Sequence, residues 1–124
     1  MEEIWKDVQG FEGRYQVSNM GRVRYPDTWI TRSYTNGTIA NIRTRKAGYK
    51  QLINRDGYIT VALNAPGVKY TPAVDKLVAE HFCEDYQDGM EIEHIDGDTT
   101  NNRADNLLCH WRHPVLSAAA GSYP

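Results

Sequence analysis

The stretch Glu93-His94-Ile95-Asp96-Gly97-Asp98-Thr99-Thr100-Asn101-Asn102-Arg103-Ala104-Asp105-Asn106-Leu107 sets a carboxylate beside an imidazole and ends on an amide. Residues 90–95 alternate apolar and polar like a short strand, residues 97–102 read as a polar turn, and residues 106–111 return as a strand or extended segment. Adjacent strand residues point to opposite faces. Glu93 and His94 can therefore serve one site only if a turn or bulge follows at once, and Asp96-Gly97 supplies one. Asn106 then lies on the returning segment, able to hold the loop or orient His94 through its amide. Spacing alone favours a surface strand with an exposed histidine.

These residue types suit phosphodiester chemistry. Hydrolysis near neutral pH needs a base to activate water, a divalent cation to neutralise charge on the phosphate and leaving oxygen, and an in-line grip on the phosphate. Histidine is the natural base, with an unperturbed pKa of about 6.5. Oxygen ligands suit Mg²⁺, which keeps several waters and takes one or two protein groups.

Upstream, Tyr58-Ile59-Thr60-Val61-Ala62-Leu63 is a β-rich run, Asn64-Ala65-Pro66-Gly67 a turn and Val68-Lys69-Tyr70-Thr71 a return strand, which predicts a hairpin. Pro72 ends it. Val74, Leu77, Val78 and Phe82 fall at helical spacing and predict an amphipathic helix over residues 73–83. Residues 26–56 are polar, basic and weakly periodic. They read as a long loop with a strand near residues 38–43. Residues 1–25 alternate between glycine-containing turns and predict two or three short strands. Beyond the return segment, Pro114 at a first helical position predicts a short helix through Ala120.

A chain of 124 residues suits one compact domain, or a small domain with an appended subdomain. Two cysteines, Cys83 and Cys109, without CxxC spacing fit reduced thiols. No apolar run approaches a membrane span, and the acidic start Met1-Glu2-Glu3 is unlike a signal peptide, so a soluble cytoplasmic protein is expected. The net charge of −2 hides a division. Residues 20–70 hold nine basic groups against two acids, whereas residues 71–124 hold three against ten. A basic part joined to an acidic part suits a phosphate-gripping surface beside a cation site, although charges also segregate by chance in a short chain.

The opening stretch closely resembles the core of phage and intron-encoded HNH homing endonucleases. There a His preceded by Asp or Asn is followed by Ile/Lys-Asp-Gly-Asn, an Asn-Asn pair and a terminal Asn-Leu. Val74-Asp75-Lys76-Leu77-Val78-Ala79-Glu80-His81-Phe82 resembles the family's helix. Trp5-Lys6-Asp7-Val8, with Gly10-Phe11-Glu12-Gly13-Arg14-Tyr15-Gln16-Val17-Ser18-Asn19-Met20-Gly21-Arg22-Val23-Arg24, resembles the modular motif often found before HNH domains. The matches cover residues 4–24 and 57–111, in the family's order.

The resemblance implies an α+β fold: a small N-terminal antiparallel β subdomain with a basic loop, residues 1–56, then a ββα-metal (HNH) nuclease-like domain, residues 57–124. It implies hydrolysis of double-stranded DNA, by nicking or cleavage, with Mg²⁺ or Mn²⁺. The expected protein is a monomer or weak dimer, in the host cytoplasm if phage-encoded. His94 would be the general base and Glu93 a metal ligand, one methylene longer than the family's Asp. Asn106 would orient the loop and His94, and Asp96 would be a structural acceptor. Arg22 and Arg24 are the leading DNA contacts, with Arg14, Arg43, Arg45 and Lys46 beside them among interleaved aromatics. Trp5, Tyr15 and Val17 could form a small core under them.

Two departures weigh on activity. Asp75 stands where the family has His, and an acid there would repel phosphate. Val115 stands where the family has its last ligand and cannot bind a metal, so His113 would have to supply one through a shift in register. An HNH-derived module that binds DNA or protein without cutting is the rival reading. A purely structural interaction domain fits the basic segment less well. A structural zinc on Cys83, Cys109, His110 and His113 has awkward spacing.

Overall fold

Short β-branched and aromatic runs between glycine turns form strands β1 (Trp5–Asp7), β2 (Gln16–Ser18) and β3 (Val23–Tyr25) in the computed structural model, which describes residues 2–111. Next come β4 (Thr28–Ser33) and β5 (Ile39–Arg45), an antiparallel ribbon, and then β6 (Gly48–Tyr49), which adds to the first three strands. The four-stranded sheet runs β1-β2-β3-β6, all antiparallel. Asp7, Gln16, Arg24 and Tyr49 align across it in register, while Val17 and Val23 face the core.

The ribbon corrects the reading of residues 26–56 as a long loop. Ile30 pairs with Ile42 and Trp29 with Arg43, and the reversal closes through Tyr34 N–H on the Thr38 carbonyl at 2.8 Å. All of β4 is solvent-exposed, so no buried face imposes the apolar–polar alternation that reveals a strand. The single hairpin predicted over residues 58–71 is also two. Strand β7 (Ile53–Arg55) pairs with β8 (Tyr58–Thr60) through Asp56-Gly57, at φ 54° and 89°. Two successive positive φ values define the I′ turn that Asp-Gly favours, which pins this register. Strands β9 (Leu63–Ala65) and β10 (Val68–Tyr70) pair around Pro66-Gly67.

Helix α1 (Val74–Phe82) forms where the spacing predicts it and buries Val74, Leu77, Val78 and Ala79. Its C-terminal turn is tied to the N-terminal sheet. His81 Nε2 accepts from the Gln9 N–H at 3.0 Å, and Lys6 Nζ donates to the His81 carbonyl at 2.7 Å. Strands β11 (Glu91–His94) and β12 (Leu107–His110) close a last hairpin, with His94 opposite Leu107 and Glu91 opposite His110.

One apolar cluster joins Val8, Phe11, Tyr15, Val17 and Val23 to Val61, Leu63, Val74, Leu77, Val78 and Leu107. Truncating Leu77 at its centre would cost about 2–5 kcal/mol. Trp5 is not in this core: it lies on the sheet's other face, with the Arg24 guanidinium 4.0 Å from its ring. Antiparallel strands with one α-helix among the described residues give the expected α+β class. The two strands of the expected ββα unit are present; the helix predicted from Pro114 lies outside the described residues. Among the described residues, no helix is long and apolar enough to cross a membrane.

Candidate active site

Strand alternation decides which side chains of the last hairpin meet. Ile92, His94, Leu107 and Cys109 point toward α1, and Glu91, Glu93, Leu108 and His110 point outward. His94 is 9% exposed. Its Nε2 lies 2.8 Å from Asn102 Oδ1, and Asp75 Oδ2, reaching down from α1, is 3.9 Å from the same nitrogen. Asn102 Oδ1 can only accept, so this contact favours the Nε2–H tautomer of the neutral ring, with Nδ1 as the nitrogen that carries the free lone pair. This revises the reading of Asp75. Its carboxylate faces the histidine, not an open phosphate surface.

The loop between the strands is tied internally. Asn106 Nδ2 donates to Asp96 Oδ1 and to the Asn101 carbonyl, both at 2.9 Å, while its Oδ1 accepts the Asp96 N–H at 3.1 Å. Asn101 Nδ2 reaches Asp96 Oδ2 at 2.8 Å. These donors hold the Asp96 carboxyl below the usual carboxylate range, Asn101 first, then the Asp98 N–H and Asn106. Asp98 is lowered likewise, chiefly by the Thr100 hydroxyl and N–H. Asn106 thus closes the loop, as its position suggested, and the ring of His94 is held by a different amide, Asn102.

The N-terminal motif buttresses this loop from outside. The Ala104 N–H donates to the Asn19 carbonyl at 2.8 Å. Gly21, at φ 87°, sits so close that an added Cβ would come within 3.2 Å of the Asn102 Cβ and carbonyl oxygen. Thr99 Oγ1 donates to the Gly57 carbonyl from the β7–β8 turn. The amide that holds His94 is therefore positioned by both halves of the chain. Nothing in the Asn101-Asn102 pair marks which amide meets the histidine, and the clue to Gly21 was only that a glycine sits in the turn before a short strand.

Glu93 projects outward with its side chain 63% exposed, and its Oε2 lies 3.7 Å from His110 Nε2. Among the described residues, no three His, Cys, Asp or Glu side chains converge on one point. His113, the other expected ligand, lies outside the described residues. Cys109 and His110 face opposite sides of β12, so the zinc alternative does not assemble. Both cysteines are free thiols. Burial pushes both above the ordinary thiol range, and Cys83 beside it helps raise Cys109 to about 11, so they stay protonated at neutral pH.

The expected DNA contacts divide into groups. Arg22 is held by Glu3, at 2.5 and 2.9 Å, and packs over the Tyr49 ring. Arg24 lies over Trp5 and donates to Gln16 Oε1 at 2.9 Å. Arg14 and Arg45 line one cleft of about 330 Å³ with Tyr25 and Thr28, the Arg45 guanidinium 3.5 Å from the Tyr25 ring. Arg43 lies over Trp29 on the ribbon, 4.0 Å from Asp27, and Lys46 is exposed just past β5.

Residues 3–64 match the NUMOD4 motif and residues 76–112 match the HNH endonuclease family. The chain is similar to DNA endonuclease I-HmuI of Bacillus phage SP01, 39% identical over 103 residues that make 83% of this chain and 49% of that protein. It is also similar to the uncharacterized HNH endonuclease L247 of Acanthamoeba polyphaga mimivirus, 34% identical over 85% of this chain and 23% of the relative. The chain thus spans about half or less of these curated relatives. A solved structure described as DNA binding and cleavage by the HNH homing endonuclease I-HmuI matches all of this chain with a TM-score of 0.64 at 34% identity, over 62% of its own length.

Proposed function

Because the chain belongs to the HNH homing endonuclease family and carries the NUMOD4 motif in its N-terminal half, we propose that it hydrolyses phosphodiester bonds of duplex DNA with a divalent cation, Mg²⁺ or Mn²⁺. The observation that carries this reading is the buried His94–Asn102 contact at 2.8 Å. His94 is the general base. With its proton on Nε2 and donated to Asn102, Nδ1 is the nitrogen that takes a proton from the attacking water. The Asp75 carboxylate beside that edge is placed to pair with the imidazolium that results.

Glu93 is the cation's carboxylate ligand. Its open position suits a hydrated ion that takes few protein groups. When bound, the cation neutralises charge on the phosphate and leaving oxygen. Asp96 is not a ligand in this scheme, because its oxygens are engaged by Asn101, Asn106 and the Asp98 N–H. Asn106 keeps the loop that carries Asn102 closed.

Arg24, with Gln16 and Tyr49 beside it on the outer sheet face, grips DNA together with Arg14, Arg22, Arg43, Arg45 and Lys46. The two-stranded β4–β5 ribbon has the dimensions of a major-groove reader. One site per chain nicks one strand; a double-strand cut would call for two copies.

Incubation with supercoiled plasmid, with and without Mg²⁺ or Mn²⁺, tests the proposal. Metal-dependent nicking that disappears in His94→Ala supports it. Equal behaviour of the two proteins, beside a salt-sensitive gel shift, would instead identify a module that binds DNA without cutting.

A further inference from the structure

Two neighbouring arginines on the outer face of the four-stranded sheet are held in different ways. Arg22 is paired with a carboxylate: Glu3 accepts from its Nε at 2.9 Å and from one terminal nitrogen at 2.5 Å. Arg24 meets an amide instead. Its Nε donates to Gln16 Oε1 at 2.9 Å, and Gln16 Nε2 in turn donates to Asp7 Oδ1 at 2.9 Å. Asp7 stands opposite Gln16, and Gln16 opposite Arg24, so the relay across β1, β2 and β3 follows from the strand register. The Arg24 guanidinium lies 4.0 Å from the centre of the Trp5 ring. Among the described residues, neither terminal nitrogen of Arg24 has a hydrogen-bond partner.

Resting on the reading of this chain as a DNA-binding nuclease, we infer that Arg24 reads a guanine of the target duplex in the major groove, end-on through its terminal nitrogens, with Gln16 and Asp7 as positioning residues. Guanine N7 and O6 are paired acceptors on one edge, and a planar fork whose terminal N–H groups are both free matches them. Arg22 does not offer that fork, because Glu3 occupies its Nε and one terminal nitrogen. A neutral amide fixes the plane of the Arg24 fork without neutralising its charge. Stacking on Trp5 removes rotamer freedom that DNA binding would otherwise have to freeze. A phosphate grip needs no such fixing, and the Asp7 carboxylate at the end of the relay disfavours phosphate on this face. Tyr49, opposite Arg24 in register and 58% exposed, adds apolar surface for a neighbouring base.

Binding of the full chain to a library of random-sequence duplexes, in EDTA so that no strand is cut, tests this apart from activity. Sequencing the duplexes retained by the wild type should give a motif with a fixed guanine. Arg24→Ala should lose the preference at that position and keep it elsewhere. Gln16→Ala, which keeps the charge but frees the fork, should weaken the same preference with the salt slope unchanged. Circular dichroism checks that both variants fold. The wild-type motif then serves as one labelled duplex in fluorescence anisotropy. Replacing its fixed guanine with 7-deazaguanine keeps Watson–Crick pairing and removes the N7 acceptor. This should cost the wild type about fivefold or more in affinity and Arg24→Ala less than about twofold. A motif intact in Arg24→Ala, with affinity lowered equally on all sequences, would make Arg24 a phosphate contact and overturn the inference. Wild-type tolerance of 7-deazaguanine throughout the motif, or salt-sensitive binding with no motif at all, would overturn it too. An undiminished preference in Gln16→Ala would overturn the positioning role of the relay. The DNA-binding reading fails separately, if the wild type retains no duplex even at low salt.

Discussion

His94 Nε2 and Asn102 Oδ1, eight positions apart in the chain, meet at 2.8 Å, both residues nearly shut off from water. The contact fixes which nitrogen of the ring carries the proton, and hence which one can act as a base. It also hands control of that choice to a loop braced by the N-terminal motif, through Gly21 against Asn102 and Asn19 against Ala104.

Asn102→Ala should therefore damage catalysis without touching a reacting atom. The variant leaves a buried Nε2–H without its acceptor, at a cost of about 1–3 kcal/mol. Nicking is expected to fall about tenfold to a hundredfold, the usual effect of removing a group that orients a catalytic side chain. DNA affinity should stay unchanged, and the ¹⁵N shifts of His94 should move away from a pure Nε2–H tautomer. Unaltered ring shifts would show that Asn102 does not set the tautomer.

Gly21→Ala offers a controlled comparison with Gly37→Ala. Both glycines have φ 87°, but an added Cβ meets nothing within 4 Å at Gly37 and crowds Asn102 at Gly21. Gly37→Ala pays only the backbone strain, about 1–2 kcal/mol. Gly21→Ala should pay more in urea unfolding, and it alone should slow nicking. Equal losses of stability and rate in the two variants would mean that the Gly21–Asn102 contact has no bearing on the site.

Much of the last hairpin and of α1 was legible because one face of each is buried, and burial writes a period of 2 or 3.6 into the sequence. Glu93 and His94 could be placed on a strand for that reason, whereas Asn106, read as the first residue of the returning strand, ends a 3₁₀ turn (Ala104–Asn106) just before it. The β4–β5 ribbon escaped because both its faces are wet, so Trp29, Thr31 and Arg43 follow no apolar rhythm. The Asp56-Gly57 turn carried a recognisable signal, hidden by the polar residues before it. Asn102 and Asp75 escaped for another reason. Their roles depend on tertiary approach to His94 from a loop and a helix, which no local spacing encodes.

Acid should loosen the loop at Asp96. Its hydrogen bonds to Asn101, the Asp98 N–H and Asn106 lower its folded pKa beneath the ordinary value of 3.8, and Asp98 behaves alike. The unfolded chain then binds more protons between the two values, so stability falls as pH falls. This contribution is complete above the unfolded value near pH 4 and is lost as pH drops through the lower folded values. Asp96→Asn, which has no charge to titrate, should show a urea midpoint that varies less below pH 4 than that of the wild type. Parallel acid profiles of the two proteins would place the sensitivity elsewhere.

Glu3 restrains one of the expected DNA contacts. It accepts from Arg22 Nε at 2.9 Å and from one terminal Nη at 2.5 Å, and is itself held below the usual carboxylate range by that guanidinium. Arg24, by contrast, makes no hydrogen bond to Glu3; it donates to the Gln16 amide and packs over the Trp5 ring. Glu3→Ala should release Arg22 toward phosphate and remove a like charge from the DNA-facing surface. Duplex affinity at low salt is expected to rise about threefold to tenfold, and the dependence of log K on log salt to steepen by about 0.9, one phosphate contact. Arg24→Ala should shift both in the opposite direction by a similar amount. Fluorescence anisotropy of a labelled duplex between about 50 and 200 mM salt measures both quantities. If Glu3→Ala leaves the salt slope unchanged while Arg24→Ala lowers it, Arg22 is a structural partner of Glu3, Trp5 and Tyr49 and takes no phosphate.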